Sequence, residues 1–139
     1  MRYNNKNVIL PEPWVQPGPA NDEIWYTSTD GNIVTPYETS DLPTIVSNTY
    51  VDGKGIIKCA SDITSIGGLA FQSCTSLTSV TIPNSVTRIG YRAFRGCSSL
   101  SSISYTGTIA QWNAITKETK WNSGVPATVV HCTDGDAPI

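Results

Sequence analysis

The chain repeats itself at an interval of 23 residues between about residues 57 and 105, and this repeat restricts its fold more than any other feature. Eight apolar or small positions recur in one register. The pairs are Ile63 with Val86, Ile66 with Ile89, Gly67 with Gly90, Ala70 with Ala93, Phe71 with Phe94, Cys74 with Cys97, Leu77 with Leu100 and Val80 with Ile103. A unit of this size forms one coil, which buries its apolar side only when the next coil stacks upon it. The period therefore predicts a β-rich solenoid of 23-residue coils.

Each unit contains a half-buried strand that ends at a turn. Leu77, Val80 and Ile82 are the apolar positions of an extended segment, and the residues between them are polar and compatible with β structure. Pro83 ends the segment because proline cannot donate into a strand ladder. Equivalent residues of stacked coils should lie about 4.8 Å apart. We therefore expect the ring of Phe71 to lie on that of Phe94.

The four cysteines follow the same register. Cys74 and Cys97 occupy equivalent sites of successive units, and Cys59 aligns with Ile82, a core position. Buried cysteine behaves as a small apolar residue. We therefore predict core thiols at these sites in preference to disulfides, and no zinc site, since the chain has no Cys-x-x-Cys pair.

The segment 77–99 reads LTSVTIPNSVTRIGYRAFRGCSS. It closely resembles the repeat of the BspA-like leucine-rich repeat proteins of bacterial surfaces, whose unit is LTxIxIPxSVTxIGxxAFxxCxS. The preceding unit, residues 55–76, matches from Ile63 onward, and a third unit begins at Leu100 and departs after Tyr105. The resemblance implies a non-catalytic recognition or adhesion module that binds a protein or glycan through its repeat sheet. It transfers no catalytic residue, because the motif positions are packing positions.

Two hairpins are predicted before the repeats. Residues 24–28 and 32–37 flank Asp30-Gly31, and residues 44–51 and 55–59 flank Asp52-Gly53, a dipeptide that favours tight hairpin turns. A solenoid needs its apolar end covered. We therefore predict a single domain over residues 21–139, with a hairpin cap at 21–55 and repeats at 56–105.

The last part of the domain, residues 106–139, is predicted to be a helix-plus-strand cap. Thr108 and Gln111 fit a capping box, and Ile109, Trp112 and Ile115 fall on helical spacing. Lys117 and Lys120 are expected near the carboxyl end of the helix. Residues 127–132 are predicted to be a final strand and residues 133–139 a polar tail. This region also resembles the ends of short repeat proteins of gut bacteria and their phages.

Residues 1–20 form a proline-rich arm that excludes helix and central strand. Its apolar residues are Val8, Ile9, Leu10 and Trp14. Either these residues insert into a partner or the arm folds back on its own domain, since both arrangements bury the same side chains. The sequence leaves both open.

The sequence contains few groups of residues that could act in catalysis or bind a metal ion. His131 is the single histidine, and strand alternation directs it and Cys132 to opposite faces. The carboxylates are scattered through turns, so no general acid and base pair up. We predict no catalytic, cofactor or metal site, and no enzyme.

Charge and hydropathy restrict the partners. A formal net charge of −2 argues against nucleic acid as a partner, and no apolar run approaches the length of a membrane span. Arg88, Arg92 and Arg95 lie within one unit and form a tentative basic site for an acidic protein or glycan. Oligomerisation is left open.

A second functional hypothesis concerns a virion. The apolar patch at residues 8–10 is too brief for a signal peptide, which favours a virion-associated protein, or one that stays cytoplasmic until lysis, over ordinary secretion. In this alternative the chain is a capsid decoration, head fibre or tail component of a phage of gut bacteria, anchored by the arm.

Overall fold

A computed structural model describes residues 18–37 and 41–139. The predicted partner-binding residues of the arm, Val8, Ile9, Leu10 and Trp14, lie outside these ranges. The described part contains strands and one short helix. In chain order these are β1 (Glu23–Ser28), β2 (Ile45–Val51), β3 (Lys54–Cys59), β4 (Ser65–Ile66), β5 (Leu77–Ile82), β6 (Arg88–Ile89), β7 (Ser102–Tyr105), α1 (Ile109–Ala114), β8 (Thr116–Lys117), β9 (Val129–Cys132) and β10 (Gly135–Pro138).

The strands form two sheets that share one apolar core. The larger sheet has the order β10-β9-β7-β5-β1-β3-β2, and the smaller has the order β4-β6-β8. Strands β5, β7 and β9 run parallel to one another, whereas β1, β2, β3 and β10 make antiparallel pairs. Buried apolar residues of both sheets belong to a single cluster. The sheets thus enclose the core that the repeat predicts.

The 23-residue repeat appears directly in the strand register. Ile66 pairs with Ile89, and Val80 pairs with Ile103, in both cases through parallel strands. The rings of Phe71 and Phe94 are stacked, with centroids 5.2 Å apart and an interplanar angle of 7°. The predicted stacking of equivalent residues is therefore confirmed for these two units.

A third unit follows, of which the sequence repeat shows only the first residues, from Leu100 to Tyr105. Strand β8 pairs with β6 in parallel, so Ile89 lies beside Lys117, 28 positions later. Two positions per unit also adopt a left-handed backbone in all three units. These are Leu69, Arg92 and Lys120, with φ of 66°, 56° and 61°, and Ser73, Gly96 and Gly124, with φ of 60°, 78° and 82°. The backbone path of the first two units is thus repeated in the third.

Helix α1 is inserted into this third unit and is shorter than predicted. The capping box is confirmed, since Thr108 Oγ1 accepts from the Gln111 amide and Gln111 Oε1 accepts from the Thr108 amide. The helix ends at Ala114, because the following residues 116–117 pair with β6. The placement of Lys117 in the helix is therefore wrong. Its ammonium nevertheless donates to the Trp112 carbonyl, at 2.8 Å, near the helix end.

The hairpin predicted around Asp52-Gly53 is confirmed, whereas the one around Asp30-Gly31 is wrong. Strand β2 pairs with β3 across a turn in which Asp52 and Gly53 have φ of 51° and 78°. Strand β1 instead pairs with β3 on one edge and β5 on the other, which leaves no edge for residues 32–37. That segment is held by Val34, whose N–H donates to Tyr26 Oη at 3.1 Å.

The end of the described chain contains one strand more than predicted. Strand β9 lies within the predicted strand, residues 127–132. The prediction of a polar tail at residues 133–139 is wrong, because β10 folds back and pairs antiparallel with β9. Ala137 of β10 is fully buried, so its burial stabilises this pairing.

We predict that Gly90→Ala destabilises the protein by about 1–3 kcal/mol, the usual range for overpacking. A Cβ at Gly90 would lie 2.4 Å from the backbone nitrogen of Gly68 and 2.7 Å from the carbonyl carbon of Gly67 in the adjacent unit. Urea denaturation measures the loss. Gly68→Ala is the control, since the nearest atoms to its Cβ would be the Tyr91 carbonyl oxygen, at 3.3 Å, and the Tyr91 backbone nitrogen, at 3.9 Å. Equal effects of the two changes would contradict the interpretation.

Candidate binding face

One face of the large sheet is turned away from the core. Side chains alternate along each strand, so the buried Ile24, Tyr26, Val80 and Ile103 point inward and their neighbours point outward. The outward side chains align across the ladder in two rows. The first row is Ile56, Trp25, Thr81, Ser104, His131 and Asp136, and the second is Lys54, Thr27, Ser79 and Ser102. We call these two rows the outer face.

Hydroxyl groups dominate the middle of the outer face. Thr27 Oγ1 lies 2.6 Å from Thr78 Oγ1 and 2.5 Å from Ser79 Oγ, so these three hydroxyls form one hydrogen-bonded group. Hydroxyls both donate and accept. The sequence correctly placed residues 78, 79 and 81 on the polar side of this strand. The centre of the face is therefore polar but uncharged.

Trp25 is the large aromatic side chain of the outer face, and the sequence analysis missed it as a site residue. Its Nε1 donates to Glu23 Oε1 at 3.0 Å, and the Lys54 ammonium lies 3.8 Å from its ring centroid. Both contacts restrict the rotamer of the indole. The alternation of Trp25 with Ile24 and Tyr26 was the available signal. It was not used, because the segment was interpreted only as half of a hairpin.

Charges beside Trp25 are paired. Lys58 Nζ lies 2.9 Å from Asp22 Oδ2 and 4.0 Å from Glu23 Oε2. The hydrogen bond to Asp22, with the charges of both carboxylates, raises the pKa of Lys58. At neutral pH, therefore, this end of the face carries both signs of charge.

The opposite end of the outer face is built around His131. Its Nδ1 lies 2.8 Å from Asp136 Oδ1 across the β9–β10 hairpin, and Ser104 is its neighbour on β7. A groove of about 160 Å³ runs beside them, and Gly18 and Thr106 also line it. The order serine, histidine, aspartate matches a hydrolase triad. Within residues 18–37 and 41–139, however, no hydrogen bond joins Ser104 to His131, so the nucleophile–base contact of such a triad is not formed there.

Residues 18–37 and 41–139 contain neither a cluster of metal-binding side chains nor a helix able to span a membrane. There, no three His, Cys, Asp or Glu side chains come close enough together to hold a metal ion. No helix in this part of the chain combines the length and apolarity needed to cross a membrane.

The cysteines divide into buried and partly accessible thiols. Cys59 and Cys97 are buried, as their core positions predicted, and Cys132 is partly exposed. The prediction of a fully buried thiol is wrong for Cys74, which is also partly exposed and packs against the edge of the core. All four are free thiols. The hydrogen bond with Cys74, together with burial, raises the pKa of Cys97 far above its ordinary value. Burial, followed by the charges of Asp134 and Asp136, raises the pKa of Cys132.

The predicted arginine site lies on and after β6, in the smaller sheet. Arg88 forms an ion pair with Glu118 at 2.6 Å and also approaches Asp41 at 3.8 Å, so its charge is compensated within the molecule. Arg92 lies over the ring of Tyr91, with 4.7 Å from its Cζ to the centroid. Arg95 belongs to the turn that follows. Among the residues that the structure describes, neither Arg92 nor Arg95 forms an ion pair like that of Arg88.

Comparisons with known proteins identify the repeat. Residues 53–117 match the model of the family described as "BspA type Leucine rich repeat region (6 copies)". This match confirms the predicted resemblance of the repeats to the BspA-type leucine-rich repeat over that part of the chain. That family is one of protein-interaction modules and is generally non-enzymatic.

One solved structure is similar to this chain. It is the crystal structure of a leucine-rich repeat protein from Bacteroides capillosus ATCC 29799, at 20% identity, and the match covers 82% of this chain and 96% of that chain. The TM-score is 0.38, which is too low for the likeness to support an argument. No curated protein matches this chain significantly.

We predict that alkylation of Cys132 reaches its half-maximal rate at a pH above that of an ordinary cysteine. Only the thiolate reacts. Because the pKa of Cys132 is raised, the thiolate forms at a higher pH than in an ordinary cysteine. Asp136→Asn removes a nearby negative charge and should lower this midpoint slightly. Mass spectrometry after pulsed labelling with iodoacetamide measures the rate at each pH.

Asp62→Asn is the matched control, because Asp62 is exposed and does not contribute to the Cys132 shift. It should leave the labelling curve unchanged. A Cys132 midpoint at or below that of a free cysteine would contradict the prediction.

Proposed function

We propose that this chain is a non-catalytic recognition module that binds a protein through its outer face. The observation that carries the proposal is Trp25, a restrained and half-buried indole among small hydroxyl side chains. Tryptophan is enriched among the residues that dominate binding energy at protein interfaces. Because its rotamer is already restricted, a partner would pay little side-chain entropy to use it.

The surroundings of Trp25 favour a protein over a glycan. Lys54 occupies one side of the indole, at 3.8 Å, so that side is not free to stack on a sugar ring. An acidic side chain of a protein partner would meet the Lys54 ammonium and the indole edge together. The small serine side chains at positions 79, 102 and 104 leave room for a partner to lie flat on the sheet.

The finer architecture supports the same use. We interpret the parallel units as a short solenoid in which the β2–β3 hairpin covers one end, while α1 and the β9–β10 hairpin cover the other. The predicted division into an arm at 1–20 and one domain at 21–139 is retained as part of this proposal. Such a body presents its sheet as one rigid surface, which suits recognition rather than conformational switching.

The virion hypothesis remains a second candidate, and one observation favours it. The chain enters the described body at Gly18, which is buried, and a Cβ there would lie 2.9 Å from Thr106 Cγ2. The proline-rich arm therefore joins the body at a fixed point beside the outer face. In this candidate, Val8, Ile9, Leu10 and Trp14 fasten the protein to a phage particle. Co-sedimentation with the particle, lost on deletion of residues 1–17, tests it.

We predict that Trp25→Ala weakens binding by about 30-fold, equivalent to the roughly 2 kcal/mol of an interface hot spot. Ligands are first selected from a random peptide display library on the wild-type protein, and a glycan array is probed in parallel. Ser79→Arg should abolish binding of the same peptides by obstructing the centre of the face. Titration calorimetry measures each affinity.

A double change, Arg92→Ala with Arg95→Ala, is the matched control and also tests the arginine site. Peptides that bind this control normally but lose affinity for both outer-face variants support the proposal. If only the double arginine variant loses affinity for the peptides, the binding site lies at the arginines and not on the outer face. If the wild-type protein binds glycans and no peptide, the proposed preference for a protein partner is wrong. Circular dichroism confirms that each variant is folded.

A further inference from the structure

We propose that β2 is a dimerisation strand, which pairs antiparallel with the β2 strand of a second copy around a two-fold axis at Asn48. The pairing would join two seven-stranded sheets into one. It concerns the edge of the sheet and is independent of the partner that the outer face binds.

Strand β2 is the outermost strand of the large sheet, and among the described residues its one strand partner is β3. The strand Ile45–Val51 contains no charged residue and no proline. Val46 and Val51 are each 62% exposed. Exposed edges are usually protected against pairing by charge, proline or short length. The seven-residue strand β2 has none of these protections.

The other edge of the same sheet provides the contrast. Strand β10 is four residues long, ends in Pro138 and carries Asp136. Its edge is therefore protected by length, by proline and by charge. Only one of the two edges is left open to another strand, which favours a closed dimer over an extended fibre.

The backbone of β2 is oriented for the proposed axis. Val51 and Lys54 flank a two-residue turn, so they form a hydrogen-bonded pair of the β2–β3 ladder. Alternation then turns the N–H and C=O groups of Asn48 and Tyr50 away from β3. A two-fold axis at Asn48 makes the two Asn48 residues a hydrogen-bonded pair across the new ladder.

The side chains are self-complementary about the same residue. With the axis at Asn48, Ser47 faces Thr49 of the second copy, Val46 faces Tyr50, and Ile45 faces Val51. Hydroxyl thus meets hydroxyl, and β-branched residues meet an aromatic or β-branched residue, which are favourable cross-strand pairs. The sequence IVSNTYV reads similarly in both directions, as an isologous interface requires.

The strand is also held in place before it pairs. Asn48 Oδ1 accepts from Tyr26 Oη at 2.6 Å, and Asn48 Nδ2 donates to the Val34 carbonyl at 2.9 Å. The Tyr50 hydroxyl accepts from the Ser28 amide at 3.1 Å. These bonds use the inward side chains. The backbone groups of β2 that point away from β3 have no hydrogen-bond partner within residues 18–37 and 41–139. The register shift between Ile45 and Ser47 marks a bulge at the far end, so the regular ladder lies over residues 47–51.

Sedimentation velocity of the full chain tests the proposal from micromolar to near-millimolar concentration. Wild-type protein should sediment as a concentration-dependent dimer. Ser47→Lys with Thr49→Lys places like charges directly opposite each other and should weaken dimerisation at least about tenfold. Ser47→Lys with Thr49→Glu places opposite charges in the same positions and should restore the dimer.

The same two lysines at exposed positions Ser98 and Ser101 are the control, and they should leave the dimer intact. A wild-type chain that is monomeric at every concentration overturns the proposal. So does a dimer that the Lys/Lys variant does not weaken. Failure of the Lys/Glu variant to recover would exclude the axis at Asn48. Circular dichroism shows whether each variant retains the fold.

Discussion

Contact between successive units holds this molecule together. Phe71 lies on Phe94 at 5.2 Å, and Trp121 meets the edge of Phe94 at 6.3 Å, so three units join through one aromatic column. The backbone amide of Phe71 donates to the Ala93 carbonyl, and that of Phe94 donates to the Trp121 carbonyl. Each unit therefore satisfies the backbone groups of its neighbour as well as burying its apolar side.

The aromatic column also limits which residues are available for contacts with other molecules. Because inward positions are committed to packing, only outward side chains and the sheet edges are free to vary. The outer face and strand β2 are made of such residues, and the tasks proposed for them differ. The face offers a restrained indole among hydroxyls, whereas the edge offers backbone groups that pair with no strand in the described part of the chain. The two surfaces can therefore change independently.

The sequence predicted what depends on local or periodic signals. The register of residues 63–103 followed from the repeat, the capping box from Thr108 and Gln111, and the β2–β3 turn from Asp52-Gly53. The start of the third unit at Leu100 was recognised, but its continuation after Tyr105 was missed, because α1 lengthens the unit and Trp121 replaces the expected phenylalanine. The false hairpin arose because Asp30-Gly31 is a local turn signal, whereas the choice of strand partner is made by residues far along the chain.

The binding face was less predictable than the fold. Which side of β1 faces the core depends on its pairing with β5, some 55 residues later, so Trp25 was not recognised as an outward residue. The arginine site was overestimated for a similar reason, since the carboxylate of Glu118 that pairs with Arg88 belongs to the part of the third unit, after Tyr105, that the repeat did not show. A comparison of equivalent positions in successive repeats does not show which side chains of different units form ion pairs.

The junction that carries α1 shows how this architecture can diversify. Helix α1 enters between β7 and β8, yet both parallel ladders continue past it without interruption. The connections between the two sheets can therefore become longer, while the distance between neighbouring strands stays fixed. A lineage could lengthen or replace such a crossing without moving any residue of the large sheet, so growth of the body and evolution of its contacts are separable.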